Sequence, residues 1–276
     1  MRFVAVGDLL VDVLSAAAPS GEERVHAPVV IRAGGSAANA GVWAAALGAA
    51  TAIVGKVGSD PAGDLVERAL DDRGIEASIA RDEHPTGVAV ALGASVVASP
   101  GASAHLAAAD IPDPLNGDAL LVSGFSLFQR DSAAGARAAL ERFEGQWVAV
   151  DLASPRLAAD ADLDETLAGT NIILATAEEA LAVTGSGPEE AVRELAARFG
   201  IACVKLGERG ALAADGSQVL QANAEAVDRR SKFGAGDAFA AAFLVALAGG
   251  EPLDRALQFA CETGASAAAS EDGWPA

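Results

Sequence analysis

The apolar positions of the chain fall into short runs of Val, Ile and Leu that alternate with longer segments of helical periodicity. The runs predict strands at Phe3–Val6, Ala52–Val57, Ala119–Val122, Trp147–Val150, Ile172–Leu174, Ala202–Leu206 and Ala211–Ala213. The periodic segments predict helices at Ala37–Leu47, Ala62–Asp72, Ala133–Phe143, Glu178–Val183, Glu189–Phe199, Ala235–Ala248 and Leu253–Ala269. Apolar strands separated by helices are typical of a parallel sheet covered on both faces. With right-handed crossovers, this pattern predicts a doubly wound α/β fold.

Two stretches depart from this pattern. Residues 13–32 and 86–99 contain short alternating segments, "VHAPVVIRA" and "TGVAVALGASVVASP", which are typical of exposed antiparallel strands. No Pro-, Gly- or Ser-rich linker divides the chain, and it shows no internal repeat. We therefore predict one domain over residues 1–276. It consists of a mostly parallel sheet flanked by helices, with a small β-sheet lid at its edge.

Composition and charge exclude several classes of function. Apolar residues make up 51% of the 276 residues, which excludes a disordered chain. No uninterrupted apolar run reaches the roughly 20 residues of a membrane span, and the N-terminus lacks the cleavage pattern of a signal peptide. The formal net charge of -19 repels nucleic acid and anionic membranes. We expect neither nucleic acid nor a membrane as a partner.

The residues that most often bind metals or attack substrates are few. Cys203 and Cys261 lie far apart in apolar contexts, which favours two buried thiols in a reducing cytoplasm. His26, His84 and His105 are isolated and lack the spacing of metal ligands. We therefore expect a cytoplasmic protein without a zinc site or a histidine-dependent triad.

The segment "SKFGAGDAFAAAFLVAL", residues 231–247, places two glycines and an acid before an apolar helix. Gly234 and Gly236 allow a tight turn with exposed N–H groups, and these groups, together with the helix dipole, form a ready anion site. Taken alone, Asp237 has a simpler explanation as an acid that stabilises its own helix by about 0.5 kcal/mol. The motif becomes informative only together with others.

Two further segments carry such motifs. In "AGGSAANAGVWAAALGA", Gly34 and Gly35 lead into a helix that carries Asn39, whose amide can both donate to and accept from hydroxyl groups. This segment could also be a plain glycine cap before a packing helix. In "VKLGERGAL", residues 204–212, a glycine turn joins two strands; it is either a structural hairpin or backbone offered to a nucleotide. In open α/β sheets, ligands bind outside the carboxyl ends of the strands, where these glycines lie.

Together, in this order and separation, the three motifs resemble the ribokinase-like (PfkB) carbohydrate kinase family. Gly34, Gly35 and Asn39 match its N-terminal signature, and residues 234–237 match its C-terminal one. The intermediate segments "GDLLVD", "PGAS", "DALLVSGFSLF", "VAVDLASP" and "EEALAVTG" also resemble it, so the likeness covers nearly the whole chain. The resemblance implies a ribokinase-like fold and an ATP-dependent kinase that phosphorylates a hydroxyl of a small sugar or sugar acid.

The resemblance also implies roles for individual residues. Asp237 would be the base that accepts the proton of the substrate hydroxyl. The backbone N–H groups of three neighbours would bind the transferring phosphoryl group: Gly234, Ala235 and Gly236. Four residues would hold the substrate: Asp12, Gly34, Gly35 and Asn39. Lys205, Gly207 and the residues around Cys261 would lie along the nucleotide. Glu179 would act through water on Mg²⁺.

The chain departs from the family pattern at three places. Ser231-Lys232-Phe233 stands where the family usually has Asp-Thr, whose backbone helps to form a monovalent-cation site. Thr176 replaces an Asn three residues before the glutamate, and Ser103 follows "PGA" where Asn is common. We hypothesise that the Lys232 ammonium replaces the monovalent cation; a solvated loop lysine is the alternative. The departures could also indicate a weakened or non-catalytic member.

Several functions remain open from the sequence. A dinucleotide-dependent oxidoreductase would need G-x-G-x-x-G after the first strand, and "GDLLVD" does not supply it. A nucleoside kinase of the same fold and a non-catalytic sugar- or nucleotide-binding protein are the alternatives. Because lids of this family often pair between subunits, the resemblance also implies a possible homodimer formed through the lid.

Overall fold

A computed structural model describes residues 1–18, 24–93, 95–228, 230–231, 233–271 and 273–275. Its strands are β1 Arg2–Val6, β2 Leu10–Ser15, β3 Val30–Gly34, β4 Ala50–Gly58, β5 Glu76–Asp82, β6 Thr86–Leu92, β7 Ser95–Gly101, β8 Leu115–Asn116, β9 Ala119–Ser123, β10 Phe143–Glu144, β11 Trp147–Asp151, β12 Ile172–Thr176, β13 Ile201–Lys205, β14 Ala211–Ala214 and β15 Val219–Ala222. Its helices are α1 Ser36–Ala46, α2 Pro61–Asp71, α3 Gly124–Phe128, α4 Ala133–Arg142, α5 Pro155–Ala159, α6 Leu163–Thr166, α7 Ala177–Thr184, α8 Pro188–Phe199, α9 Ala235–Ala248 and α10 Leu253–Ala269.

The main sheet has the strand order β15-β14-β13-β12-β11-β9-β1-β4-β5. Every pair from β13 to β5 is parallel, whereas β14 and β15 pair antiparallel at one edge. This arrangement confirms the doubly wound, mostly parallel sheet that the sequence predicts. All seven predicted strands and all seven predicted helices are present, with bounds that differ by at most two residues.

Each face of the main sheet is covered by its own hydrophobic core. Phe3 and Ala5 belong to a core formed with α1, α9 and α10, while Val4 and Val6 belong to a second core formed with α4 and α8. Alternate residues of a strand point to opposite faces, so a strand buried on both faces must be apolar throughout. Helix α9 is buried around most of its circumference, and its alanines allow α1 and α10 to pack closely on it.

A second sheet, with the order β3-β2-β6-β7, lies at the edge where the lid is predicted. Its extent differs slightly from the predicted segments 13–32 and 86–99: β2 begins at Leu10 and β3 ends at Gly34, while β6 begins at Thr86 and β7 ends at Gly101. The predicted antiparallel pairing is correct for β2–β3 and β6–β7, but β2 and β6 pair in parallel. Alternation of apolar and polar residues specifies a strand and its faces but not the direction of its neighbour.

The sequence prediction misses β5 and β15, the two outermost strands of the main sheet. Strand β5 is largely exposed, and β15 is only four residues long. Edge strands bury less of their surface than central ones, so they carry no continuous apolar run. Within the described parts of the chain, every helix falls short of the length and hydrophobicity needed to cross a membrane.

In the turn between β13 and β14, two glycines allow the steric cost of an added side chain to be separated from the cost of its backbone conformation. Gly207 and Gly210 both have positive φ, 63° and 86°. A Cβ on Gly207 would meet nothing within 4 Å, whereas one on Gly210 would overlap the Ala222 carbonyl and lie 2.8 Å from the Ala224 backbone nitrogen.

We expect Gly207→Ala to lower the free energy of unfolding by about 1 kcal/mol, the cost of a left-handed alanine. Gly210→Ala adds a backbone clash and should cost about 3 kcal/mol or more. Urea unfolding of the two variants measures both costs. Equal losses would contradict the close approach of β15 to this turn.

Candidate active site

The carboxyl ends of the central parallel strands open into a cavity of about 740 Å³. The lid sheet borders one side, and the first turns of α1 and α9 border another. The charged and polar residues that line it are Asp8, Asp12, Ser36, Asn39, Ser123, Gln129, Asp151, Glu179, Lys205 and Asp237. A crevice at the carboxyl ends of the strands is where open α/β sheets bind their ligands, as the sequence predicts.

Asp237 lies in the first turn of α9 with its carboxylate directed into this cavity. Its Oδ2 accepts a hydrogen bond of 2.8 Å from Nδ2 of Asn39, which belongs to α1. Burial raises the pKa of Asp237 to about 7, partly opposed by the Asn39 hydrogen bond and reinforced by the nearby carboxylate of Asp151. A carboxylate with a pKa near neutrality is suited to accept a proton.

Residues 234–236 form the turn that leads into Asp237. Gly234 is the N-cap of α9 and has φ 88°, a conformation that favours glycine. The N–H groups of the first helical turn have no acceptor within the helix, so the groups that follow Gly234 are available to an anion in the cavity. Lys205 lies beside them, because a Cβ added to Gly236 would be 3.6 Å from the Lys205 Nζ.

Lys205 is part of a buried group of charges at the ends of β11, β12 and β13. Its Nζ contacts Asp151 Oδ2 at 2.6 Å. Burial alone would lower the pKa of Lys205, but the carboxylates of Asp151 and Glu179 outweigh it and raise that pKa. The ammonium therefore stays charged inside the cavity.

Glu179 is held by the first turn of its own helix. Its Oε2 accepts a hydrogen bond of 2.7 Å from the backbone nitrogen of Thr176, whose hydroxyl accepts in turn from the Glu179 backbone nitrogen. Burial and the neighbouring Asp151 raise the pKa of Glu179. Thr176, which replaces the Asn usual in the family, thus serves as the N-cap of α7.

The lid contributes a buried ion pair to the opposite side of the cavity. Asp12 on β2 contacts the Arg32 Nη2 on β3 at 2.8 Å, and both side chains are buried. Burial raises the pKa of Asp12 to about 6, although Arg32 opposes the rise. A Cβ on Gly34 would lie 2.5 Å from the Asp12 Oδ1, so any other residue at that position would have to displace the Asp12 carboxylate. Gly35 has φ 93° and lies against the Asp8 carbonyl.

Asp8 and Ser123 also belong to the site; Asp8 follows the first predicted strand in the sequence, whereas nothing in the sequence indicates Ser123. Asp8 Oδ2 accepts from the Ser36 backbone nitrogen at 2.9 Å, and its Oδ1 accepts from the Ser123 hydroxyl at 2.7 Å. Asp8 therefore fixes the start of α1 relative to β1 and β9. The available signal was position: an acid that directly follows a buried strand.

The structure brings most of the predicted site residues together. Nine of them line the one cavity: Asp12, Gly35, Asn39, Glu179, Lys205, Gly234, Ala235, Gly236 and Asp237. Gly34 lies next to Asp12, outside the lining. Gly207 is in an exposed turn, and Cys261 is buried where α10 packs on β15. The structure does not bring these last two into the cavity, and their nucleotide contacts stay predictions. Lys232 lies outside the described residues.

Comparison with known proteins agrees with this geometry. The model of the pfkB family carbohydrate kinases matches residues 1–273. A fructokinase from Klebsiella pneumoniae is 30% identical over 267 residues, which cover 88% of this chain and 83% of the fructokinase. A 5-dehydro-2-deoxygluconokinase from Shouchella clausii is 30% identical over 256 residues, covering 82% of this chain and 77% of the relative.

Solved structures agree as well. The crystal structure of a fructokinase from Vibrio cholerae O395, bound to fructose, ADP and a calcium ion, has a TM-score of 0.81 and 25% sequence identity; the match covers 99% of this chain and 94% of that one. The match to the family model extends over nearly the whole chain and confirms the resemblance that the motifs suggest. The chain belongs to the pfkB family of carbohydrate kinases, phosphotransferases that act on an alcohol group.

Proposed function

We propose that the protein transfers the γ-phosphoryl group of ATP to a hydroxyl of a small sugar or sugar acid. The observation that carries this proposal is the position of Asp237, whose carboxylate shares one cavity with the N–H groups of the turn before it. The named relatives support the acceptor class, since one is a fructokinase and another acts on a sugar acid by its name.

In the proposed reaction, Asp237 accepts the proton of the acceptor hydroxyl while the oxygen of that hydroxyl bonds to the γ-phosphorus. The bond to the ADP oxygen breaks, and the proton is carried by the Asp237 carboxyl until it leaves to solvent. The acceptor acidifies as it bonds to phosphorus, so the orientation of the carboxylate matters more than its basicity. Backbone N–H groups at Gly234, Ala235 and Gly236 stabilise the charge on the phosphoryl oxygens.

We propose that one part of the cavity, at Lys205, takes the nucleotide, and that another part, at Asp12 and Asn39, takes the sugar. The Lys205 ammonium, next to Gly236, attracts the phosphate chain of the nucleotide. Asp12 and Asn39 line the part of the cavity bordered by the lid and α1, where we place the sugar hydroxyls. The sheet of β-strands over the sugar excludes water, which would otherwise be phosphorylated at the expense of ATP.

Mg²⁺ fits the carboxylates at the ends of β11 and β12. Carboxylate oxygens are the ligands that Mg²⁺ prefers, and the buried Asp151 Oδ1 has no hydrogen-bond partner among the described residues. We propose that Glu179, acting through water, and Asp151 hold the ion, which when bound neutralises charge on the phosphates. That Lys232 replaces a monovalent cation stays a prediction.

The compartment that we propose is the cytoplasm. Cys203 and Cys261 are both free and buried. Free thiols persist where the surroundings are reducing, and the cytoplasm also supplies the ATP that the reaction consumes.

Asp237→Asn tests whether the carboxylate is a base or only a helix-terminal acid. We expect kcat to fall by about 10³-fold or more, while ADP still binds, because the amide keeps the shape but cannot accept the proton. An ATP-consumption assay across sugars, sugar acids and nucleosides identifies the acceptor for this measurement. Turnover of nucleosides alone would show that the protein is a nucleoside kinase.

The matched control is Asp254→Asn, which changes an exposed acid in the first turn of the neighbouring helix α10. This control should keep full activity. An unchanged kcat in Asp237→Asn would contradict the proposed base, and the absence of any turnover by the wild type would favour a binding protein.

The raised pKa of Asp237 also predicts how stability depends on pH. The folded chain keeps a proton on Asp237 up to about pH 7, whereas the unfolded chain releases it near the ordinary value of 3.8. Because the folded state binds more protons in that window, the free energy of unfolding falls as pH rises from about 4 to 7. Asp12, with a pKa of about 6, adds to the fall.

Asp237→Asn should therefore stabilise the protein at pH 8, by up to about 4 kcal/mol, and flatten the decline between pH 4 and 7. Urea unfolding at a series of pH values measures the difference from the wild type. A variant that is less stable than the wild type at pH 8 would show that the carboxylate stabilises the fold.

We also propose that the protein forms a homodimer through the lid. Paired residues place Ile31, Val13, Val90 and Val97 in one row across the four strands. The outer members, Ile31 and Val97, are 61% and 73% exposed. Val13 packs partly against the main core, but Ile31 and Val97 leave exposed β-branched side chains of the kind that a second copy can cover.

Ile31→Lys combined with Val97→Lys should convert the dimer to a monomer, because each substitution places a charge in the apolar row. Sedimentation velocity at micromolar concentrations measures the state of the wild type and the variant. Leu181→Lys, at a side chain of α7 that is 54% exposed, is the control and should stay dimeric. A monomeric wild type would contradict the proposal.

A further inference from the structure

Trp274, near the C-terminus, lies against the active site although no motif marks it. Its side chain is 4% exposed. Two guanidinium groups lie over the indole ring: the Cζ of Arg32 is 5.1 Å and that of Arg73 is 4.5 Å from the ring centroid. The preceding residue, Gly273, accepts a hydrogen bond of 2.9 Å from the Trp43 indole, which fixes the segment to α1. Trp274 is thus a buried and well-anchored part of the structure.

Trp274 is connected to Asp237 by two consecutive hydrogen bonds. The indole Nε1 donates to Asn39 Oδ1 at 2.7 Å. Asn39 Nδ2 in turn donates to Asp237 Oδ2 at 2.8 Å. Arg32 Nη1 also donates to Asn39 Oδ1, at 3.1 Å.

These contacts fix the orientation of the Asn39 amide. An indole N–H and a guanidinium N–H can only donate, so the atom between them must be the amide oxygen. The NH₂ group is then forced toward Asp237, where it can only donate. With the amide rotated by half a turn, its oxygen would face the Asp237 carboxylate and its NH₂ group would face two other donors.

We propose that Trp274 is a positioning residue for the base: through Asn39 it holds the Asp237 carboxylate in the orientation that accepts the substrate proton. This inference rests on the proposed function. It also changes the expected role of Asn39. Both lone pairs of its oxygen are used by Trp274 and Arg32, and one N–H by Asp237. One N–H is left for the substrate, so Asn39 can donate to a sugar oxygen but cannot accept from a sugar hydroxyl.

If Trp274 had a purely structural role, its loss would affect the active site through the packing of the C-terminal segment rather than through Asn39. Gly273 packs on the turn before α9, since a Cβ on Gly234 would lie 2.8 Å from the Gly273 carbonyl oxygen. Loss of the whole tail would disturb that turn whatever happened to Asn39. The test must therefore remove only the indole N–H and must show that the effect passes through Asn39.

Trp274→Phe removes the N–H and keeps an aromatic ring beside the two arginines. The first measurement is the titration midpoint of the Asp237 carboxyl carbon by ¹³C NMR, in the presence of its charged neighbours Asp8, Asp151 and Lys205. We expect the midpoint to rise by about half a pH unit or more, because an Asn39 amide held by Arg32 alone is less firmly oriented and favours the ionised form less. The second measurement is kcat, which should fall about three- to tenfold, the value of one hydrogen bond.

Trp147→Phe, the same substitution at the start of β11, is the matched control and should change neither quantity. The decisive comparison is made in an Asn39→Ala background, where Trp274→Phe should have no further effect on either measurement. If Trp274→Phe does not fold, 3-benzothienylalanine at position 274 removes the N–H and keeps the bicyclic ring.

The proposal is overturned if the midpoint of Asp237 is unchanged, or if the effect of Trp274→Phe persists without Asn39. A wild type that phosphorylates no acceptor, combined with a midpoint that does move, would reject the proposed function and leave the positioning role intact. Turnover by the wild type with an unmoved midpoint would reject the positioning role alone.

Discussion

The hydrogen bond between Asn39 and Asp237 joins the two helices on which the active site depends. Helix α1 carries the contacts to the lid, and α9 carries the turn that we assign to phosphate. The bond favours the charged form of a carboxylate that burial otherwise keeps protonated. Its donor is correctly oriented only because other donors occupy the amide oxygen. Groups from the lid, α1 and the C-terminal segment thus act together on the ionisation of one acid, against the larger effect of its burial.

The charges of the cavity have partners of unequal strength. Asp8 accepts hydrogen bonds from Ser36 and Ser123, and Asp151 is paired with Lys205. Glu179 and Asp237, by contrast, have raised pKa values because they are buried near other carboxylates. Buried acids of this kind cost stability in the free protein and become favourable when cations or hydroxyl groups reach them. This cost is the expected trade-off of a site prepared for charged ligands.

The sequence predicts the main sheet from local rules, whereas the roles of the site residues come from the resemblance of its motifs to a known family. A strand buried on two faces must be continuously apolar, and the glycine turns before α1 and α9 can be recognised without knowledge of the fold. The direction of β6, the edge strands and the role of Trp274 could not be predicted, since each depends on a contact between distant segments. Trp274 and Asn39 are 235 residues apart, and nothing local to either of them indicates the other.

The ion pair between Asp12 and Arg32 holds in place a side chain that also reaches the active site. Strand β2 follows β1 after a gap of three residues, and β3 leads directly into α1. Arg32 therefore belongs to the lid, while the amide to which it donates lies on α1. Any displacement of the lid changes one of the donors that orient Asn39. The lid and the main sheet therefore share the Asn39 amide, and through it the lid contributes to the surroundings of the Asp237 carboxylate.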